Sequence, residues 1–195
     1  MGCEEAAGPA VAIVEFGGAH AECLYSQCRF LADSGCEVHL LVHRDIAPRV
    51  RGYADHCEIL PTVDEGVLGA EALRRAVASY VRRTGIRHVV VNTASGWGYR
   101  LLVLHLATQV RVTAIVHDVG RLRRSLLQRL IARRLANVLV LADRLETPCR
   151  DLCRNPVSAF YPAWFPPVPA ASPHPKPANE RWFAVAGQIE TKRRC

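Results

Sequence analysis

Three stretches of this 195-residue sequence place reactive or ligand-binding side chains just after short apolar runs. In Glu15-Phe-Gly-Gly-Ala-His-Ala21, Gly17 and Gly18 stand between an apolar run and a helical pattern. Adjacent glycines let a backbone turn sharply and let a ligand approach the first N–H groups of a helix, which favour anions. The dinucleotide fingerprint G-x-G-x-x-G is absent, so a tight turn without a ligand is the competing reading. His20, where the helix opens, either contacts a substrate or faces solvent. In Asn92-Thr-Ala-Ser-Gly-Trp-Gly98, Asn92 and Ser95 offer hydrogen bonds and Trp97 a stacking face, although a tryptophan beside two glycines also serves as packing. The run Val112–Val116 ends in His117-Asp118. An imidazole at a strand end can hydrogen-bond a hydroxyl or a departing phosphate and titrates near neutrality; its alternative is to cap the sheet edge. Asp118 either orients His117 or caps the next helix. With no Asp-x-Asp and no paired His/Cys set, neither a metal nor a cofactor is expected.

The elements that must position these loops alternate along the chain. Strands are expected at Val11–Val14, Val38–Val42, Cys57–Leu60, His88–Val91, Val112–Val116, Asn137–Leu141 and Val157–Phe160. Between them, helical patterns run over 20–34, stopped by Gly35, and from about Ala70 to the Thr84-Gly85 stop, behind a capping-box spacing at Thr62–Glu65. Further helices are expected over Leu101–Val110, across the arginine-rich segment after Asp118, and over 144–153. Strict alternation with continuous apolar strands predicts an α/β, doubly wound, parallel Rossmann-like sheet covered on both faces. Its ligands would sit at the carboxyl ends of the strands.

That domain is expected over 10–161, after an N-terminal tail of residues 1–9. Seven prolines between Pro162 and Pro177 mark residues 162–180 as an extended linker. Trp182–Ala186 then opens a new apolar strand ended by Gly187, so residues 181–195 read as the first strand and loop of a truncated second domain.

Half the residues are apolar and 22% charged, a globular profile. No apolar run reaches the roughly 18 residues of a membrane span, and Met1–Ala6 lacks the basic start of a signal peptide; a cytoplasmic protein is expected. The cysteine positions fit free, mostly buried thiols better than disulfides. The formal charge is +7, but only Lys176 and Lys192 of the 25 basic residues are lysines, which reads as composition bias. Specific nucleic-acid binding is not expected on that basis.

The order of these segments resembles the opening of the family-4 retaining glycosyltransferases, which have the GT-B fold. The strand, Gly17-Gly18, the helix with Leu24 and Leu31, and Ser34-Gly-Cys-Glu-Val-His-Leu-Leu-Val42 follow the family's first βαβ unit, whose glycine loop lies against the inter-domain cleft. Val112–Asp118 resembles the strand that delivers a histidine, often His-Asp, to that cleft. Ala186-Gly-Gln-Ile-Glu-Thr-Lys-Arg-Arg194 resembles the first strand and phosphate loop of the donor domain. Where the family usually has arginine after the glycine, this chain has Gln188, a neutral amide that does not neutralise a diphosphate.

The resemblance implies catalytic roles for His117 and Asp118, and acceptor contacts at Gly17, Gly18, His20, Asn92, Ser95 and Trp97. It also implies donor-phosphate contacts at Gly187, Lys192 and Arg193. The implied partners are a nucleotide-sugar donor and a glycan or lipid-linked acceptor, with a half-enzyme inactive alone. The arginines of 121–134 spread round a helical wheel at about 100° per residue, leaving contact with a membrane surface open. A sugar-nucleotide epimerase of the same fold and a non-catalytic binding module are the alternatives.

Overall fold

The computed structural model describes residues 8–162 except Ala19, Asp64 and Glu65, all within the first of the chain's two units, Met1–Phe165. The expectations for the proline-rich segment, for the strand at 182–186 and for Gly187, Lys192 and Arg193 lie outside the described residues.

Seven strands form one sheet: β1 (Ala10–Glu15), β2 (Glu37–Val42), β3 (His56–Ile59), β4 (His88–Val91), β5 (Arg111–Val116), β6 (Asn137–Val140) and β7 (Val157–Ala159). Their order is β3-β2-β1-β4-β5-β6-β7, and every neighbouring pair is parallel. Parallel pairing explains the continuous apolar runs. Val11, Ile13, Val38 and Leu40 pack on one face against Leu24 and Cys28 of α1 (Ala21–Asp33) and Ala47 and Val50 of the one-turn α2 (Ala47–Val50). Ala12, Val14, Val89 and Val91 pack on the other. That second face carries α3 (Val67–Thr84), α4 (Gly96–Leu106), α5 (Val119–Arg124), α6 (Leu126–Ala132) and α7 (Glu146–Cys153). The edge strand β3 departs from the pattern, because all four of its residues are exposed.

The helix stops follow the expected chemistry. Gly35, at φ 75°, donates to Ala32 O while Cys36 donates to Leu31 O, the paired bonds of a Schellman ending that a left-handed residue permits. Two starts differ from expectation. α3 begins at Val67 behind Gly66, five residues beyond Thr62, and no side chain caps it. α4 begins at Gly96 rather than Leu101, because Gly96 at φ 77° turns the chain directly into the helix from Ser95.

The arginine-rich segment is two helices rather than one. Ser125, in extended conformation, ends α5 and accepts from Gln128 N–H as the cap of α6. Of the described cysteines, all are free; Cys23, Cys28, Cys149 and Cys153 are buried and Cys57 is exposed. Burial pushes the Cys23 and Cys28 thiols up to about 12, so neither carries thiolate near neutrality. Among the described residues no helix is long and apolar enough to cross a membrane.

Candidate functional site at the sheet's switch point

Strand order reverses between β1 and β4, whose crossovers leave in opposite directions, so a crevice opens at their carboxyl ends. Glu15 closes β1 there and is 2% exposed. Its Oε1 accepts from Gly17 N–H at 2.7 Å, and its Oε2 accepts from Asn92 Nδ2 at 2.6 Å and Thr93 Oγ1 at 2.7 Å. One carboxylate thus fixes both the glycine loop and the loop after β4. Burial pushes the Glu15 carboxyl up; the hydrogen bonds from Thr93, Gly17 and Asn92 hold it down.

Asn92 is fully buried. Besides donating to Glu15, its Nδ2 lies 3.5 Å from His20 O, and its Oδ1 accepts from Gln27 Nε2 of α1 at 2.5 Å. Its amide therefore bonds Glu15 and Gln27 of the scaffold. Asn92 O faces His117, whose Nε2 lies 2.8 Å away.

That contact settles the imidazole's tautomer. A carbonyl only accepts, so Nε2 of His117 carries the hydrogen and, in the neutral ring, Nδ1 carries the lone pair. Burial lowers the pKa of His117 from its ordinary 6.5, the Asn92 carbonyl opposes this, and the nearby His20 lowers it further. The ring is neutral at physiological pH: a base with a defined free nitrogen.

His20 stands beside it, the ring centroids 4.3 Å apart. It is the N-cap of α1 and lies in left-handed conformation at φ 65°, uncommon for a residue with a Cβ. Gly17 and Gly18 are exposed at the mouth of the same crevice. A Cβ on Gly18 would meet only ordinary contacts with Asp45 and His43, so Gly18 is not fixed by packing.

The remaining expected residues lie apart from this group. Asp118 caps α5 by accepting from Arg121 N–H and pairs with the Arg121 and Arg124 guanidiniums, both at 3.5 Å. Of its two expected roles, capping is the one with hydrogen-bond geometry. Ser95 lines a cleft of about 190 Å³ with Arg100, Arg121, Arg124, Ser125 and Gln128. Trp97 is 45% exposed, and Arg100 lies over its ring at 5.0 Å. A roomier hollow of about 350 Å³, lined by Cys28, Tyr53 and Asp55, lies at the opposite end of the strands, away from these groups.

Glu15 and Gln27 are missing from the sequence-based site. Their signal was present in outline: a carboxylate ending an apolar strand, with one residue between it and two glycines, must be exposed or fully paired. Which of the two holds depends on Asn92 and Thr93, more than 70 positions away.

No family model matches this sequence, and no curated protein matches it either. Solved structures do. The chain is similar to the glycotransferase of kitacinnamycin, with a TM-score of 0.59 and 13% identity over 88% of this chain and 55% of that one. It is similar to TcCGT1, solved in complex with UDP, with a TM-score of 0.61 and 10% identity over 85% and 54%. A UDP-N-acetylglucosamine 2-epimerase is also similar, with a TM-score of 0.57 and 9% identity over 74% and 45%. The chain spans about half the length of these proteins. At such identities the likeness is one of fold: this chain has the seven-stranded, Rossmann-like architecture of a GT-B half, shared by transferases and an epimerase alike.

Proposed function

We propose that this chain is the acceptor-side half of a GT-B glycosyltransferase that moves a hexosyl group from a nucleotide-activated sugar to an acceptor hydroxyl. The observation that carries the proposal is His117 Nε2 held 2.8 Å from Asn92 O, which leaves Nδ1 free at the switch-point crevice. Its Nδ1 accepts the hydrogen bond, and then the proton, of an acceptor hydroxyl placed above Gly17 and Gly18. Glu15 keeps both flanking loops in register without touching substrate. His20 screens one side of the ring.

The nucleotide-sugar, bound by a donor half, would meet this surface; TcCGT1's complex with UDP supports that donor class. Gly187, Lys192 and Arg193 are proposed to contact its phosphates. The retaining outcome of family-4 enzymes rests on the sequence resemblance. A glycan or lipid-linked acceptor is proposed, with membrane-surface contact through the exposed Leu126, Leu127 and Leu130 beside Arg123 and Arg134.

The test is a donor and acceptor screen read by released nucleotide and intact product mass, on residues 1–195 and on a protein that also carries a donor half. Negligible turnover by 1–195 and transfer by the longer protein are expected, with the anomeric configuration of the product deciding retention. Full activity from 1–195 would refute the half-enzyme reading. The epimerase likeness favours one second reading: conversion of a free UDP-sugar without any acceptor, visible as a new sugar nucleotide in the same screen.

A further inference from the structure

The sheet carries a second cluster of titratable groups at its opposite end. Glu37 and His39 are two apart on β2 and so share a face, and parallel register sets His56 of β3 directly across from His39. Glu37 Oε1 lies 2.8 Å from His56 Nε2 and 3.3 Å from His39 Nε2, and the three ligand atoms all fall within 4.8 Å of one another. The two imidazoles stack at 4.4 Å.

His39 is 5% exposed, and its Nε2 is buried with no hydrogen-bond partner, since the Glu37 contact lacks bonding geometry. A buried ring nitrogen left unsatisfied is costly unless something occupies the space in front of it. His39 Nδ1 lies 2.9 Å from Tyr80 Oη of α3. With Nδ1–H donating to that oxygen, Nε2 carries the ring's lone pair on the side where Glu37 Oε1 lies 3.3 Å away. Histidine ligands of metals are commonly oriented by such a bond from their other nitrogen.

We propose that Glu37, His39 and His56 form a binding site for a divalent transition metal of the zinc class. Bonds of about 2.0–2.2 Å from zinc to nitrogen and oxygen put ligand atoms about 3.3 Å apart in a tetrahedron. The spacings around Glu37 Oε1 already approach this, so an ion entering between the three groups needs only small side-chain shifts. Two histidines and a carboxylate are a ligand set that zinc accepts. His56 and Glu37 are about half exposed, so ion and water reach the fourth position from solvent.

The site spans β2 and β3. It therefore ties down the strand that has no buried residue of its own, while lying at the strand ends remote from His117. Linear spacing hides it: His39 and His56 are 17 positions apart, and only the register joins them.

The experiment is equilibrium dialysis and visible spectroscopy of the reduced full chain with Co²⁺ and Zn²⁺, alongside thermal unfolding. Expected are one equivalent of Co²⁺ giving tetrahedral d–d bands without a thiolate charge-transfer band, displacement by Zn²⁺, and a higher Tm with Zn²⁺. His56→Gln and Glu37→Gln, both at exposed positions, should each weaken binding by at least the roughly 10–100-fold that loss of an outer-shell partner causes. Each should also remove the Tm shift, while Cys57→Ser changes neither. Absence of saturable binding, parental affinity in both ligand variants, or a thiolate band lost in Cys57→Ser would each overturn the proposal.

Discussion

The two ends of the sheet use the same side-chain types to opposite effect. At the carboxyl end, Glu15 and Asn92 are buried and bond each other, Gly17 N–H and the Thr93 and Gln27 side chains, so the pair fixes two loops, and Asn92 O aims His117. At the amino end, Glu37 of β2 and His56 of the edge strand β3 are about half exposed, and His39 has a ring nitrogen without a partner. In the first cluster the Glu15 carboxylate and the Asn92 amide are both engaged, Gln27 Oε1 alone is buried without a partner, and one His117 nitrogen is left free for a substrate. The second is incomplete and fits an ion. Burial alone does not separate the two, because His39 is as deeply buried as parts of the first cluster. What separates them is that the first cluster bonds two loops together, whereas the second gathers three ligand atoms within 4.8 Å of one another.

The largest effect expected concerns turnover. In a protein with a donor half, His117→Ala should cut kcat by about 100- to 10,000-fold, the usual worth of a positioned general base. The unfolding midpoint should move little, since the half-buried ring packs lightly. A kcat within a few-fold of the parent in rate assays would return His117 to the scaffold and erase the contrast between the two ends.

Next in size is the support beneath it. Glu15→Gln sets an amide NH₂ against one of the three donors that now meet carboxylate oxygens. A loss of about 1–3 kcal/mol of unfolding free energy is expected in urea titration, the cost of leaving a buried polar group unsatisfied. A neutral result would mean that the network forms only loosely.

A smaller, graded effect appears with pH. Burial lowers the pKa values of His117 and His88 below 6.5, aided at His88 by Arg111. Below pH 6.5 the unfolded chain therefore binds protons that the folded chain does not, and stability falls as pH drops toward the lowered values. Glu15 acts in the opposite sense at lower pH: with its pKa raised, ionisation costs stability as pH rises above 4.5. His117→Gln should flatten part of the decline just below pH 6.5, read from urea midpoints at several pH values.

The smallest effect lies at the amino end. Without metal, Glu37→Gln should change stability by no more than about 0.5 kcal/mol, as for most exposed positions. A large loss there would show a fully built network instead of an open site.

The alternation of strands and helices was legible because parallel strands buried on both faces must be continuously apolar: Val38–Val42 and Val112–Val116 admit little else. The helix stops at Gly35 and Gly85 were legible because only a residue tolerant of positive φ ends a helix that way. The start of α4 was not, since Gly96 turns the chain by a left-handed torsion that spacing does not encode. Nor was the split at Ser125, where a cap and an extended residue override a run of good helix formers. The places of His117 and the glycine loop, just past the carboxyl ends of β5 and β1, could be read from position alone. The burial of Asn92 and the pairing of Glu15 could not, because both depend on which strand lies beside β1, and that follows from the crossover.

The most direct test of the account is the state of the His117 ring. Long-range ¹⁵N–¹H correlation spectra across a pH titration report which nitrogen carries the proton and where the ring protonates. The account predicts the Nε2–H tautomer, held by Asn92 O, with a pKa below 6.5, unchanged in Glu37→Gln and raised toward 6.5 in Glu15→Gln as the loop loosens. An Nδ1–H tautomer, or a pKa at or above 6.5 in the parent chain, would contradict it.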